Sequence, residues 1–100
     1  IEMRQLVYLD AVYKHKNFTK ASKELYVSQP TVSAAIRVME QELGMTLIER
    51  TPKSVVFTPA GEVLMQRVHA LLSDYNDMLT EANELSRKAS YTLRLGIASY

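Results

Sequence analysis

The first 25 residues carry apolar side chains at helical spacing. From residue 3 to about residue 16 the apolar positions recur every three or four residues, which predicts an amphipathic helix. Asn17 follows, and asparagine tolerates the left-handed backbone conformation that closes a helix. Thr19 is the predicted N-cap of a short second helix over residues 20–25.

A third helix is predicted from about residue 29 to residue 43, after a tight turn. Ser28 is a suitable N-cap, and Pro30 lies in the first turn, where a missing N–H group is tolerated. Gly44 supplies the C-terminal stop. One face of this helix is expected to be buried, and it consists of Val32, Ile36, Met39 and Leu43.

Two short β-prone runs lie within residues 46–57, on either side of a polar turn that contains Pro52. This arrangement predicts a β-hairpin. Thr58 is the predicted N-cap of a final helix, and Pro59 is its first-turn proline. This helix is expected to run to about Ala89.

The final helix has the most regular apolar pattern in the chain, with steps that alternate between four and three residues. Such a heptad seam is typical of a coiled coil and predicts a homodimer, although an intramolecular core would also use it. The seam consists of Leu64, Val68, Leu71, Tyr75, Met78, Ala82, Leu85 and Ala89.

Residues 91–98 alternate between apolar and polar side chains as a strand does. A single strand has no partner here, so we interpret residues 91–100 as the start of a further domain. The expected organisation is therefore mainly α. A winged helix-turn-helix with a two-stranded wing spans residues 1–58, a coiled-coil linker helix spans residues 59–90, and the start of a further domain spans residues 91–100.

Composition adds little to this picture. The 100 residues are 47% hydrophobic, which suits a small folded domain, and the formal net charge is only +1. Residues 1–58 hold eight Lys and Arg against six acids, a weak basic excess. Cysteine is absent, which fits a reducing cytoplasm, and apolar runs are too short for a membrane span.

In a helix-turn-helix the second helix enters the major groove of DNA, and its N-terminal residues meet the base edges. Glutamine pairs with adenine, serine and threonine bond to bases or phosphates, and alanine contacts a thymine methyl. Arginine reaches a guanine or a phosphate, and basic side chains at a wing tip suit the minor groove. Helix starts are natural phosphate sites. The candidate DNA-binding residues are Gln29, Pro30, Thr31, Ser33, Ala34 and Arg37 in the third helix, Arg50 and Lys53 in the wing, and Thr19 and Ser28 at helix starts.

Each candidate also has a plainer interpretation. The alternative for Gln29, Thr31 and Ser33 is a role as caps or solvated side chains, and the alternative for Arg37 is a pairing with Glu40 or Gln41 on its own helix. Glu40 is expected to be structural, because a carboxylate facing phosphate would repel it.

The sequence resembles the LysR-type transcriptional regulators. The resemblance covers residues 3 to about 65 almost continuously, and residues 93–97 resemble the first strand of that family's effector-binding domain. The motifs that carry it are residues 4–6, 17–22, 25–33, Ile36, 40–44, 47–50 and 57–62.

The resemblance implies a winged helix-turn-helix dimer on duplex DNA, with antiparallel linker helices, tetrameric full-length regulators, and a small-molecule inducer bound by a further domain. It implies contacts from Gln29, Pro30, Thr31, Ser33 and Arg37, with Arg50 and Lys53 in or beside the wing. Where many members carry a long polar or basic side chain, this sequence has Ala34 and Ala35, so the resemblance does not imply a guanine contact from that position.

Other functions have weaker support in the sequence. His15 and His69 are isolated along the chain, so a metal site or cofactor is not expected within these residues. A nucleophile–base arrangement is not identifiable either, which argues against an enzyme. A protein-interaction module with a winged fold remains the main alternative to a DNA-binding regulator.

Overall fold

The computed structural model describes residues 1–51 and 54–94 of the chain. The predicted mainly α winged helix-turn-helix is confirmed. Three helices precede a β-hairpin, and a long helix follows it. In chain order these elements are α1 (Met3–His15), α2 (Phe18–Leu25), α3 (Gln29–Leu43), β1 (Ile48–Arg50), β2 (Val55–Phe57) and α4 (Pro59–Arg94).

The junction between α1 and α2 differs from the prediction. Lys16, rather than Asn17, takes the left-handed conformation that ends α1, with φ 51°. Asn17 is instead the N-cap of α2, because its side-chain oxygen accepts a 2.9 Å hydrogen bond from the N–H of Lys20. The predicted cap Thr19 was therefore wrong, and α2 begins two residues earlier than expected.

The turn between α2 and α3 is closed by backbone hydrogen bonds. Tyr26 lies in the left-handed region with φ 57°, and the N–H of Val27 donates to the carbonyl oxygen of Ser22. Ser28 caps α3 as predicted, accepting from the N–H of Thr31 at 3.3 Å. Gly44, with φ 68°, ends α3, also as predicted.

The hairpin is antiparallel, with Ile48 opposite Phe57 and Arg50 opposite Val55. The Thr58 hydroxyl then caps α4, accepting from the N–H of Gly61 at 3.0 Å. The same hydroxyl donates to the carbonyl oxygen of Thr46 at 2.7 Å. The cap therefore ties the start of α4 to the chain that enters the hairpin.

The core lies between α1, α2 and α3, and the hairpin and the first turns of α4 contribute to it. Full burial of one Leu or Ile side chain contributes roughly 1.5–3 kcal/mol. The predicted inner face of α3 is confirmed at Val32, Ile36 and Met39, and Leu43 is half-buried. The largest fully buried side chains are Leu9, Val12, Val32, Ile36, Met39 and Leu47.

The final helix is longer than predicted. It continues through residues 91–94, so the strand predicted there is wrong over those four residues. An isolated strand leaves its backbone groups without a ladder, whereas continued helix pairs them locally. The remainder of the predicted strand, residues 95–98, lies outside the described residues.

The chain divides into two compact units, residues 1–70 and 71–100. The first unit contains α1 to α3, the hairpin and the beginning of α4. The described part of the second unit is helical. Among the described residues, no helix is both long enough and apolar enough to cross a membrane.

Candidate nucleic-acid interface

The first turn of α3 is the most accessible part of that helix. Gln29, Pro30 and Thr31 are all exposed, while Val32, the next residue, is completely buried. The buried face anchors the helix to the core, so the exposed residues are held on a rigid support. This is the geometry that a groove-reading helix requires.

Side-chain hydrogen bonds order this first turn further. The Thr19 hydroxyl on α2 donates to the side-chain oxygen of Gln29 at 3.1 Å, so the Gln29 amide NH₂ takes no part in this bond. The hydroxyls of Ser28 and Thr31 share a 2.7 Å hydrogen bond. Thr19 thus orients Gln29, a role that its sequence position did not indicate.

The exposed face of α3 extends along the helix through Ala34 and Arg37. Ser33 is half-buried, between this exposed face and the hairpin. Gln5, buried in α1, donates to the carbonyl oxygen of Ala35 at 3.2 Å. This bond fixes α1 against the side of α3.

Arg50, at the end of β1, does not extend into solvent. Its guanidinium donates to the hydroxyl of Ser33 at 2.8 Å and to the Ser33 carbonyl oxygen at 3.4 Å. It also lies 3.6 Å from a carboxylate oxygen of Glu40 and over the ring of Phe18, 5.1 Å from its centroid. The sequence motif placed Arg50 in the wing but did not reveal these partners.

Electrostatics at this face follow from that burial. Partial burial lowers the pKa of the Arg50 guanidinium, and the positive charge of Arg37 acts in the same direction. The Glu40 carboxylate opposes both effects. Two arginines therefore lie close enough to interact, one inward and one exposed, and Glu40 compensates the inward charge.

The turn of the hairpin lies beside the start of α3. The N–H of Thr51 donates to the carbonyl oxygen of Ser54 at 3.1 Å, which closes the turn. Thr51 and Ser54 line a polar crevice together with Thr19 and Gln29. Lys53, the predicted contact at the wing tip, lies outside the described residues.

The exposed apolar face of α4 begins at Leu71, about two helical turns after Leu64, where the predicted seam starts. Val68 is only 3% exposed and belongs to the chain's own core, as does Met65, so we leave Val68 out of the seam. Leu64 is half-buried. The remaining predicted positions are exposed, and they are Leu71, Tyr75, Met78, Ala82, Leu85 and Ala89.

The two histidines, isolated in the sequence, each face a carboxylate from another helix. His15 Nε2 lies 3.4 Å from Glu24, and His69 Nδ1 lies 3.7 Å from Asp10. Groups of three or more potential metal ligands are not found among the described residues.

An exposed recognition helix, braced by α2 and flanked by a β-hairpin, defines a winged helix-turn-helix domain of the DNA-binding class. Residues 3–62 match the family model described as bacterial regulatory helix-turn-helix protein, lysR family. The chain belongs to this lysR family.

Curated relatives are similar along nearly the whole chain. The hydrogen peroxide-inducible genes activator of Pectobacterium carotovorum subsp. carotovorum is 36% identical over 97 residues, which cover 97% of this chain and 32% of the relative. The RuBisCO operon transcriptional regulator of Allochromatium vinosum is 35% identical over 99 residues, covering 99% of this chain and 33% of the relative. The chain thus spans about a third of the length of these regulators.

Solved structures agree with the fold. The BenM DNA-binding domain in complex with catB site 1 DNA has a TM-score of 0.82 and 36% identity, covering 86% of this chain and 97% of that one. Corynebacterium glutamicum OxyR, a C206S mutant bound to H₂O₂, has a TM-score of 0.79 and 34% identity, covering 82% of this chain and 26% of that one.

Proposed function

We propose that this chain is the part of a transcriptional regulator that binds duplex DNA sequence-specifically, and that it does so as a homodimer. The observation that carries the proposal is the exposed first turn of α3, held on a fully buried inner face. The similarity to a domain solved on its DNA site supports it. The proposed cellular location is the cytoplasm, where bacterial DNA lies.

The base-reading contacts are assigned to the exposed residues of α3. Gln29, oriented by Thr19, pairs with an adenine edge, and Thr31 reaches a base or a phosphate. Ala34 contacts a thymine methyl, and Arg37 binds a guanine or a phosphate.

Phosphate contacts are assigned to the start of α3, beside Ser28, because the positive end of the helix dipole favours an anion. Lys53 is proposed from the sequence as the minor-groove or backbone contact of the wing. These contacts would position the domain on the duplex without reading sequence.

The homodimer is assigned to α4. Its exposed apolar residues recur at heptad spacing from Leu71 to Leu85, and a heptad seam is satisfied by a second helix. A dimer presents two copies of α3, so it would read two half-sites of an operator. We further propose that the complete regulator is a tetramer whose small-molecule inducer binds outside these 100 residues.

The decisive experiment is selection from a random duplex library with this chain, followed by affinity measurements on the selected duplex over a range of salt concentrations. We expect a defined motif with paired half-sites, and an affinity that falls as a power of the salt concentration because phosphate contacts release counterions.

The matched variants in that experiment are Arg37→Gln and Arg67→Gln. Arg37 lies on the proposed interface and Arg67 is exposed on α4, so only the first should weaken binding. A wild-type chain that shifts no duplex even at low salt would contradict the proposal and favour a protein-interaction module.

A further inference from the structure

The hairpin is attached to α3 at two points, seven residues apart on that helix. At the first point Arg50 donates to both the hydroxyl and the carbonyl oxygen of Ser33. At the second, one carboxylate oxygen of Glu40 accepts from the N–H of Leu47 at 2.7 Å and from that of Ile48 at 3.2 Å. Both ends of the β1 segment are therefore bound to side chains of α3.

The two attachments are joined by charge. Arg50 lies 3.6 Å from the Glu40 oxygen that does not bind the backbone, and the two side chains are only 21% and 15% exposed. Both are therefore largely withdrawn from solvent. A guanidinium turned inward in this way is already bonded within the protein.

The bond from Arg50 also determines what Ser33 offers to a ligand. A serine hydroxyl has one hydrogen to donate and two lone pairs. Arg50 occupies an acceptor position of the Ser33 oxygen, and its cationic charge attracts electron density from that oxygen. The hydroxyl hydrogen is then the group best suited to bind something outside the protein.

We propose that Arg50 is a positioning residue of the DNA-binding site rather than a direct DNA contact, and that it presents Ser33 as a hydrogen-bond donor to an acceptor on the duplex. The acceptor is a phosphate oxygen or the acceptor edge of a base, such as guanine N7 and O6. This inference rests on the proposed function, and it revises the direct contact that the sequence suggested for Arg50.

The test is a double-mutant cycle in the full chain, with Ser33→Ala, Arg50→Lys and the double variant. Affinities are measured for the selected duplex and for a random duplex. Lysine keeps the charge but lacks the two-pronged donor, so a direct phosphate contact would keep its electrostatic attraction, whereas the paired bonds to Ser33 would be lost. We expect Arg50→Lys to lose affinity about as much as Ser33→Ala, roughly tenfold, and the double variant to lose little more.

Salt dependence provides a second, independent measurement. Each lost phosphate contact lowers the slope of log affinity against log salt by about 0.9. We expect Arg50→Gln to leave this slope unchanged, with Lys53→Gln, the proposed phosphate contact at the wing, as the comparison that lowers it. Should Arg50→Gln fail to fold by circular dichroism, the cycle with Arg50→Lys decides.

The results separate the possibilities clearly. Additive losses in the cycle, wild-type affinity of Arg50→Lys, or a reduced slope for Arg50→Gln would overturn the inference while the wild type still selects its duplex. If the wild type selects no duplex, the proposed function itself fails. If Ser33→Ala loses affinity equally for both duplexes, the acceptor is a phosphate. If it loses affinity for the selected duplex alone, the acceptor is a base. Either result supports the inference.

Discussion

Gly61, in the first turn of α4, lies directly against the backbone of Leu47. A Cβ atom at Gly61 would overlap the Leu47 carbonyl oxygen and would approach the Phe57 ring to 3.2 Å. That carbonyl oxygen also accepts from the N–H of Thr58 at 2.9 Å, so it is not free to move. The close contact seats the start of α4 on the hairpin segment.

We therefore expect Gly61→Ala to destabilise the chain by about 3 kcal/mol, because overpacking a rigid site forces backbone shifts. The measurement is thermal unfolding followed by circular dichroism. Ala60→Ser, at the exposed neighbouring position, is the control and should melt as the wild type does. A Gly61→Ala variant with unchanged melting would contradict the packing described.

The corrected N-cap of α2 gives a second prediction. Asn17→Ala removes the acceptor for the N–H of Lys20 and should cost about 1 kcal/mol of stability. Thr19→Ala leaves the cap intact, but it releases the side chain of Gln29 and should weaken binding to the selected duplex. Unfolding and binding titrations on both variants check that Asn17 is the cap and that Thr19 orients Gln29. A larger stability loss for Thr19→Ala than for Asn17→Ala would indicate that Thr19 is the cap.

Tyr26 combines a left-handed backbone with a side chain that is 94% exposed. A non-glycine residue in that conformation costs roughly 1 kcal/mol of stability. Because the Tyr26 ring is so exposed, its packing offsets little of this cost. We expect Tyr26→Gly to raise the free energy of unfolding by up to about 1 kcal/mol. Denaturant titration measures it, with Leu25→Gly, at the last residue of α2, as the destabilising comparison.

The dimer seam is tested by Leu71→Asp, which places a charge at an exposed apolar position of α4. Analytical ultracentrifugation should show the variant as a monomer under conditions where the wild type is a dimer, because an unpaired charge is costly in an apolar interface. Ser73→Asp, two residues along on a different face of the helix, is the matched control and should remain dimeric. An unchanged oligomer for Leu71→Asp would refute the seam.

The Glu24 carboxyl is expected to make the stability of the chain depend on pH in the acidic range. The hydrogen bond from Lys14 lowers the pKa of the Glu24 carboxyl below 4.5, and His15 contributes in the same direction, while partial desolvation opposes both. A lowered pKa adds stability above the unfolded value of about 4.5, and this stability is lost as pH falls through the folded pKa. Melting temperatures of the wild type and Glu24→Gln should therefore converge on acidification below that value. Glu84→Gln, on α4, should keep the acid dependence of the wild type.

The sequence by itself determined the local elements of this protein. The inner face of α3, its Ser28 cap and its Gly44 stop were all predicted, because helical periodicity and capping act over three or four residues. The hairpin and the Thr58 cap were predicted for the same reason. The resemblance to the family, now confirmed, also depended on contiguous motifs.

Only the tertiary structure decided which of these residues meet. Ser33 and Arg50 are 17 residues apart, and Leu47 and Gly61 are separated by the whole hairpin. The heptad pattern likewise could not reveal that Val68 faces the chain's own core while Leu71, three residues later, is exposed. Periodicity specifies that a helix has an apolar face, but what covers that face depends on how distant segments pack.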